Sequence, residues 1–170
     1  MGMTPAELLS DAFDRIRQTA TAAVDGLTDD QLVARPAPGA NSIAWLVWHL
    51  ARVQDDHVAE VAGTEQVWTA QDFVGRFGLP IPPDATGYSM TSEEVGQVRA
   101  SADLLAAYVE AVHEATAAYL ATVSSEDLDR VVDERWDPPV TLGVRLVSVL
   151  SDDLQHAGQA AYVRGLLTSG

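Results

Sequence analysis

The chain has no cysteine and no lysine among its 170 residues. The absence of cysteine excludes a disulfide framework, a thiolate metal site and a cysteine nucleophile. No apolar run approaches the roughly 20 residues of a membrane span, and the N-terminus lacks the basic and apolar regions of a secretion signal. We therefore expect a soluble cytoplasmic protein that does not enter a membrane.

Positive charge is scarce, because ten basic residues face 25 acidic ones and the formal net charge is −15. Nucleic acids and anionic membrane surfaces are bound through clustered cations, so neither is expected as a partner. The length, with 47% hydrophobic residues, suits one domain spanning residues 1–170 that buries a core without disulfides.

Helix start signals recur along the chain. Three Thr-x-x-Glu/Gln capping boxes begin at Thr4, Thr28 and Thr91. Apolar residues at helical spacing then predict four long helices. They cover residues 5–24, a segment from Asn41 or Ser42 to Gly63, a segment beginning at Ser101 and a final segment capped by Thr141.

A connection over residues 64–90 separates the second and third long helices. It is rich in glycine and proline but also carries Trp68, Phe73, Phe77 and Tyr88. These aromatic residues indicate packing on the mouth of the bundle or on another subunit. No segment shows sustained alternation of apolar and polar residues, so no strand is expected. The predicted fold is an all-α four-helix bundle with a long crossover between helices 2 and 3.

Two polar features interrupt the apolar helices. His49 follows Trp45-Leu46-Val47-Trp48, so it is either a core histidine bonded to a carbonyl or a ligand. Asp152 and His156 are four residues apart on the last helix and share one face. They form either an acid–imidazole pair or two ligands of one metal ion.

Together, His49, Asp152 and His156 offer three ligands from facing helices, which is the layout of a catalytic site with an open position. Nitrogen and oxygen donors suit a divalent metal, with Zn²⁺ or Ni²⁺ expected and Fe²⁺ as a further choice. Asp153 is the alternative acid, on a less favourable side of the helix. His57 either lines the mouth of the pocket or is exposed among Asp55, Asp56 and Glu60.

The residues Asn41-Ser42-Ile43-Ala44-Trp45-Leu46-Val47-Trp48-His49 resemble the second helix of the DinB/YfiT-like superfamily. His156-Ala157-Gly158-Gln159 resembles the His-x-Gly-Gln motif of its last helix. The order of helices and the crossover also match, and the chain is similar to actinobacterial proteins of the DinB type, including the mycothiol-dependent maleylpyruvate isomerase-like group.

The resemblance implies a four-helix bundle, a homodimer, and a divalent metal on His49, Asp152 and His156. Asp152 stands where the family commonly has histidine. Gln159 is then expected to orient a ligand, or else to make an ordinary bond between helices, and Trp45 to border the pocket. Arg52 or Arg145 either binds a carboxylate of the thiol or substrate, or forms a surface salt bridge.

The activity implied by the resemblance is transfer of a low-molecular-weight thiol of the mycothiol type to a small electrophilic substrate, as an S-transferase or isomerase. The metal would favour the thiolate form of the sulfur. Two alternatives stay open. One is metal-dependent hydrolysis, with water in place of the thiol. The other is a non-catalytic dimeric binding module whose metal site is degenerate.

Overall fold

Helices dominate the computed structural model, which describes residues 2–169. The four long helices are α1 (Pro5–Val24), α3 (Ile43–Ala62), α7 (Ala102–Leu120) and α8 (Leu142–Thr168). Short helices lie between them: α2 (Asp29–Val33), α4 (Val67–Ala70), α5 (Phe73–Phe77) and α6 (Ser92–Gln97). Helix α1 and helix α3 each pack against α7 and α8, so α1 and α3 are diagonal partners in the bundle. The predicted all-α bundle is confirmed.

Local capping explains where the helices begin. At Thr4, Thr28 and Thr91 the side-chain hydroxyl accepts from the backbone N–H three residues on, and the Glu or Gln there accepts in return. These are the three predicted capping boxes, and each satisfies two otherwise unpaired helix donors. Among residues 2–169, no helix has both the length and the apolar character needed to cross a lipid bilayer.

The prediction that the chain has no strand was wrong. Strand β1 (Val131–Asp133) pairs antiparallel with β2 (Val140–Thr141) immediately before α8. Strands of three and two residues are too short to show an alternating pattern of apolar and polar residues in the sequence. This hairpin brings Asp133 against Arg145 on α8, at a separation of 3.3 Å.

The crossover between α3 and α7 is folded onto the bundle. Helices α4 and α5 place Trp68, Phe73 and Phe77 in the core, where all three rings pack against Tyr108 of α7. This agrees with the prediction that the aromatic residues pack on the bundle. Tyr88 is different, because it stays 56% exposed.

A buried carboxylate on α3 fastens this crossover. Asp55 accepts hydrogen bonds from the backbone N–H groups of Val67 and Trp68, both at 2.8 Å, and from the Tyr108 hydroxyl at 2.8 Å. The expectation that Asp55 belongs to an exposed acidic cluster was therefore wrong. Burial is the main cause that raises the pKa of Asp55, and the three donors oppose it.

Arg52 is the second anchor, one turn before Asp55. It donates to the carbonyl of Ala85 at 3.1 Å and to the side chain of Gln66 at 2.8 Å, and it stacks on Trp68. Only 1% of its surface is exposed. The interpretation of Arg52 as a surface salt bridge was wrong, because the crossover covers its side chain. For the same reason, Arg52 is not available to bind a substrate carboxylate.

We predict that Asp55→Ala loosens the crossover and lowers the free energy of unfolding by about 3 kcal/mol, because it leaves buried N–H donors unpaired. Denaturant unfolding measures the loss, and limited proteolysis should cut within residues 64–90. Glu114→Ala, at an exposed position on α7, should stay within about 0.5 kcal/mol of the parent. Equal stability of the two variants would show that Asp55 does not fasten the segment.

Candidate metal centre

The three predicted ligands meet where α3 packs against α8. His49, Asp152 and His156 each present one donor atom, and these atoms all lie within 4.8 Å of one another. The carboxylate stands between the rings, with His49 Nε2 at 3.7 Å from Oδ2 and His156 Nε2 at 3.7 Å from Oδ1. Donor atoms around a tetrahedral zinc ion lie about 3.3 Å apart. The two 3.7 Å separations are close to that value, whereas the widest separation in the set, up to 4.8 Å, would have to shorten for all three donors to bind one ion.

His49 is held in the state that a ligand needs. Its Nδ1 lies 2.6 Å from the carbonyl oxygen of Thr86, which can only accept, so Nδ1 carries the proton. The Nε2 lone pair is then directed at the cluster. Burial is the main cause that lowers the pKa of His49, so the ring stays neutral. Metal-bound histidines commonly donate their second N–H to a carbonyl in this way.

His156 is arranged similarly on α8. Its Nδ1 donates to the side-chain oxygen of Gln159 at 2.9 Å, which leaves Nε2 for the cluster. Gln159 therefore orients His156, one turn away on the same helix, and it does not bond to another helix. Its expected role in orienting a ligand rests on this hydrogen bond.

The donor set fits a cation. The Oδ2 atom of Asp152 is buried and has no hydrogen-bond partner among residues 2–169. An unpaired buried carboxylate oxygen costs free energy, and a positive ion between it and the two Nε2 atoms would remove that cost. The side chains are 26% exposed for Asp152 and 18% for His156, so the cluster opens to solvent on one side.

The crossover and α3 together clamp the ring of His49. Trp45 stacks on it with centroids 4.5 Å apart, and Tyr88 meets it edge-on at 5.2 Å. Trp45 also contacts His156 edge-on at 5.9 Å, so its ring lies beside the cluster. Gly87 passes so close that a Cβ atom there would overlap His49 Nδ1.

A cavity of about 330 Å³ adjoins the cluster on the Asp152 side. Its wall combines residues of α3, α8, the hairpin and the crossover, among them His57, Tyr88, Trp136 and Arg145. His57 does not join the three donors; it is half-buried and lines this cavity. Burial, followed by the charge of Arg145, lowers the pKa of His57. Burial and the nearby acids raise the pKa of Tyr88 to about 12.

Arg145 forms part of the cavity wall and is already paired. Its guanidinium contacts Glu60, the Nδ1 atom of His57 at 3.2 Å and Asp133 at 3.3 Å. Asp133 is in turn bound by Arg135, whose hydrogen bonds hold the pKa of the Asp133 carboxyl well below its usual range. In place of the surface salt bridge expected for Arg145, the structure has a network in which Arg145 and Asp133 are buried and Glu60 and Arg135 are exposed.

Asp153 lies outside the cluster. Its side chain is fully buried on the core side of α8, and neither carboxylate oxygen has a hydrogen-bond partner among residues 2–169. Burial raises the pKa of its carboxyl well above the ordinary value. The less favourable position predicted for this alternative acid agrees with that placement.

Sequence reasoning missed the crossover backbone that supports His49, namely Thr86 and Gly87, whereas it had named Tyr88 among the aromatic residues expected to pack. The single signal available was Gly87, because a glycine permits both a φ of +106° and a close approach of backbone to another group. Nothing in the sequence told which side chain it approaches.

The fold and the donor cluster define an all-α bundle with a His–Asp–His site that could hold a metal. The family model for mycothiol S-transferases matches residues 8–169. The chain therefore belongs to the mycothiol S-transferase family, and the DinB/YfiT-like resemblance is confirmed.

A solved structure shows the same architecture. The crystal structure of a conserved protein from Enterococcus faecalis is 33% identical to this chain, with a TM-score of 0.92. The match covers 99% of this chain and 100% of the other. A search of curated proteins found no match.

We predict that Gly87→Ala lowers the free energy of unfolding by about 2 kcal/mol, because the backbone strain and the overlap with His49 both disfavour a side chain. Denaturant unfolding measures this change. Gly158→Ala is the matched control, since a Cβ atom there meets nothing within 4 Å on α8, and it should be neutral or stabilising by up to about 1 kcal/mol. Similar behaviour of both variants would contradict the close packing at Gly87.

Proposed function

We propose that this protein is a divalent-metal-dependent S-transferase that joins a low-molecular-weight thiol of the mycothiol type to a small electrophilic substrate. The observation that carries the proposal is the cluster of His49, Asp152 and His156, whose free donor atoms converge beside an open cavity. Family membership supports the thiol as the partner. The metal expected is Zn²⁺ or Ni²⁺, with Fe²⁺ as a further choice, because the donors are nitrogen and oxygen without sulfur.

The protein's own residues prepare the site before any ligand arrives. Thr86 and Gln159 each accept from the Nδ1–H of one histidine, which leaves both Nε2 atoms facing the cluster as the candidate ligand atoms. Asp152 supplies the one negative charge of the donor set. A divalent ion held by these three residues would favour the thiolate form of a thiol and orient its sulfur for attack.

The chain contributes no sulfur nucleophile, because it has no cysteine. The nucleophile must therefore enter from solution, and the cavity beside Asp152 offers the space for it. In the net reaction the thiol sulfur bonds to an electrophilic carbon, the group it displaces leaves with the bonding electrons, and the thiol proton goes to solvent. Low-molecular-weight thiols stay reduced in the cytoplasm, which is where we place this protein.

We predict that the purified protein binds about one Zn²⁺ or Ni²⁺ per chain, and that His49→Ala and His156→Ala each weaken binding at least about tenfold. Elemental analysis and titration of the metal-free protein with the metal alone measure this. The matched control is His113→Ala, since the His113 side chain is 19% exposed and that of His156 is 18%. Metal binding that survives both ligand changes, or no binding at all, would reject the site and favour a non-catalytic module.

We predict that an organic halide is consumed only when the thiol is present. Mycothiol and the halide are incubated with the metal-loaded protein, and halide release and the thioether product are both measured above the rate without protein. The C–S bond forms as the carbon–halogen bond breaks, so the two products should appear in equal amounts. His49→Ala should abolish the enhancement, whereas His113→Ala should retain it. Halide release that is indifferent to the thiol would identify a hydrolase instead.

A further inference from the structure

The cavity beside Asp152 is an elongated slot between α3 and α8. At one end His49 faces Asp152 at 3.7 Å, and at the other His57 contacts Arg145 at 3.2 Å. The two contacts are eight residues apart along α3 and seven along α8, and the helices run in opposite directions. At a rise of 1.5 Å per residue, the donor cluster and the far end are therefore about 10 Å apart.

The slot is apolar between its two ends. Val53 of α3 and Val149 of α8 lie midway along it, and both side chains line the cavity. Two aromatic side chains, Tyr88 and Trp136, border the same cavity and are more than half exposed. Exposed aromatic rings beside an apolar wall favour a flat, apolar ligand group at this position.

His57 offers a free hydrogen-bond donor at the far end. Its Nδ1 atom lies 3.2 Å from the guanidinium of Arg145, which can only donate, so Nδ1 accepts and Nε2 carries the ring proton. Burial, followed by the charge of Arg145, lowers the pKa of His57, and the ring stays neutral. Within residues 2–169 the Nε2 atom has no hydrogen-bond partner, and it is not enclosed by other atoms. This N–H is therefore available to a ligand in the cavity.

The charged residues around His57 are paired with one another. Arg145 contacts both Glu60 and Asp133. Arg135 binds Asp133 as well, so two cations face two carboxylates. An anionic ligand group would lose its hydration here without meeting an unpaired cation. The far end therefore favours a neutral acceptor, such as a carbonyl oxygen, over a carboxylate.

We propose that the cavity selects an electrophile in which one flat apolar unit separates the reactive carbon from a neutral carbonyl group, and that His57 donates to the carbonyl oxygen. The reactive carbon then lies at the donor cluster and the flat unit lies between the valines and the aromatic rings. Arg145 is a positioning residue, because it holds His57 in the donating tautomer. The inference rests on the proposed function, since it names the substrate class of that reaction.

Three benzylic chlorides that differ in one substituent test this selection. In para-acetylbenzyl chloride the substituent is a carbonyl group, in para-isopropylbenzyl chloride it is apolar with the same shape, and in para-(chloromethyl)benzoate it is a carboxylate. In each reaction the thiol sulfur bonds to the benzylic carbon, chloride leaves with the bonding electrons, and the thiol proton goes to solvent. Rates with mycothiol and the metal-loaded protein are measured above the rate without protein.

Each variant is compared with the wild type on each chloride, so the intrinsic reactivities of the chlorides cancel. His57→Leu should lower kcat/KM for the acetyl compound at least about tenfold more than for the isopropyl compound, mainly through KM. His57→Gln keeps an N–H donor and an acceptor for Arg145, so it should retain most of the selectivity. His113→Leu is the matched control and should keep the wild-type selectivity, because His113 does not line this cavity.

Binding of an unreactive analogue separates this proposal from the proposed activity. The analogue para-methylacetophenone keeps the carbonyl group but has no leaving group, and NMR titration of the metal-loaded protein measures its Kd. His57→Leu should weaken this binding at least about tenfold, whether or not any chloride is turned over. Absence of turnover with all three chlorides would reject the proposed activity, and the Kd values would still decide the role of His57.

Circular dichroism and metal content, unchanged in all variants, show that each chain is folded. A preference for the carboxylate compound, equal losses for the acetyl and isopropyl compounds in His57→Leu, or a wild type that does not bind the analogue would overturn the proposal. A Kd that His57→Leu leaves unchanged would do the same.

Discussion

The candidate site depends on a carboxylate buried on the far side of α3. Asp55 accepts three hydrogen bonds from the crossover and from α7, and this fixes a segment that would otherwise be a long, solvent-exposed connection. Because the crossover is fixed, its later residues reach His49 in a defined position, where Thr86 selects the tautomer of the ring and Gly87 leaves space for it. Asp55, which holds the crossover in place, and His49, the candidate ligand, therefore lie on the same helix, less than two turns apart.

The electrostatics of the cluster follow from its burial. His49 is neutral because a charged imidazole would lose its hydration, and Asp152 keeps one oxygen without a hydrogen-bond partner. An unpaired carboxylate oxygen is costly at a buried position, and a bound cation would remove that cost. The wall of the neighbouring cavity differs, because its charged residues Arg145 and Asp133 already form ion pairs. The donor cluster is therefore the part of the site that keeps a buried polar atom, Asp152 Oδ2, without a hydrogen-bond partner.

Much of the fold was predictable because it rests on local signals. A capping box and helical spacing located α1, and helical spacing after a Ser or Thr cap located α3, α7 and α8, since these signals act within one or two turns of the chain. The hairpin before α8 gave no such signal because its strands are too short. Asp55 and Arg52 were misread as surface groups, because burial by a distant segment leaves no trace in the residues next to them.

The sequence alone determined an acidic, cysteine-free chain of four amphipathic helices, and it singled out His49, Asp152 and His156 as residue types able to bind a metal. Local spacing sufficed for the pair on α8, which shares one face of one helix. The tertiary structure alone decided that His49 reaches that pair and that Thr86 and Gly87 support the ring. Those outcomes depend on how helices and crossover pack, and packing joins residues that are far apart in the chain.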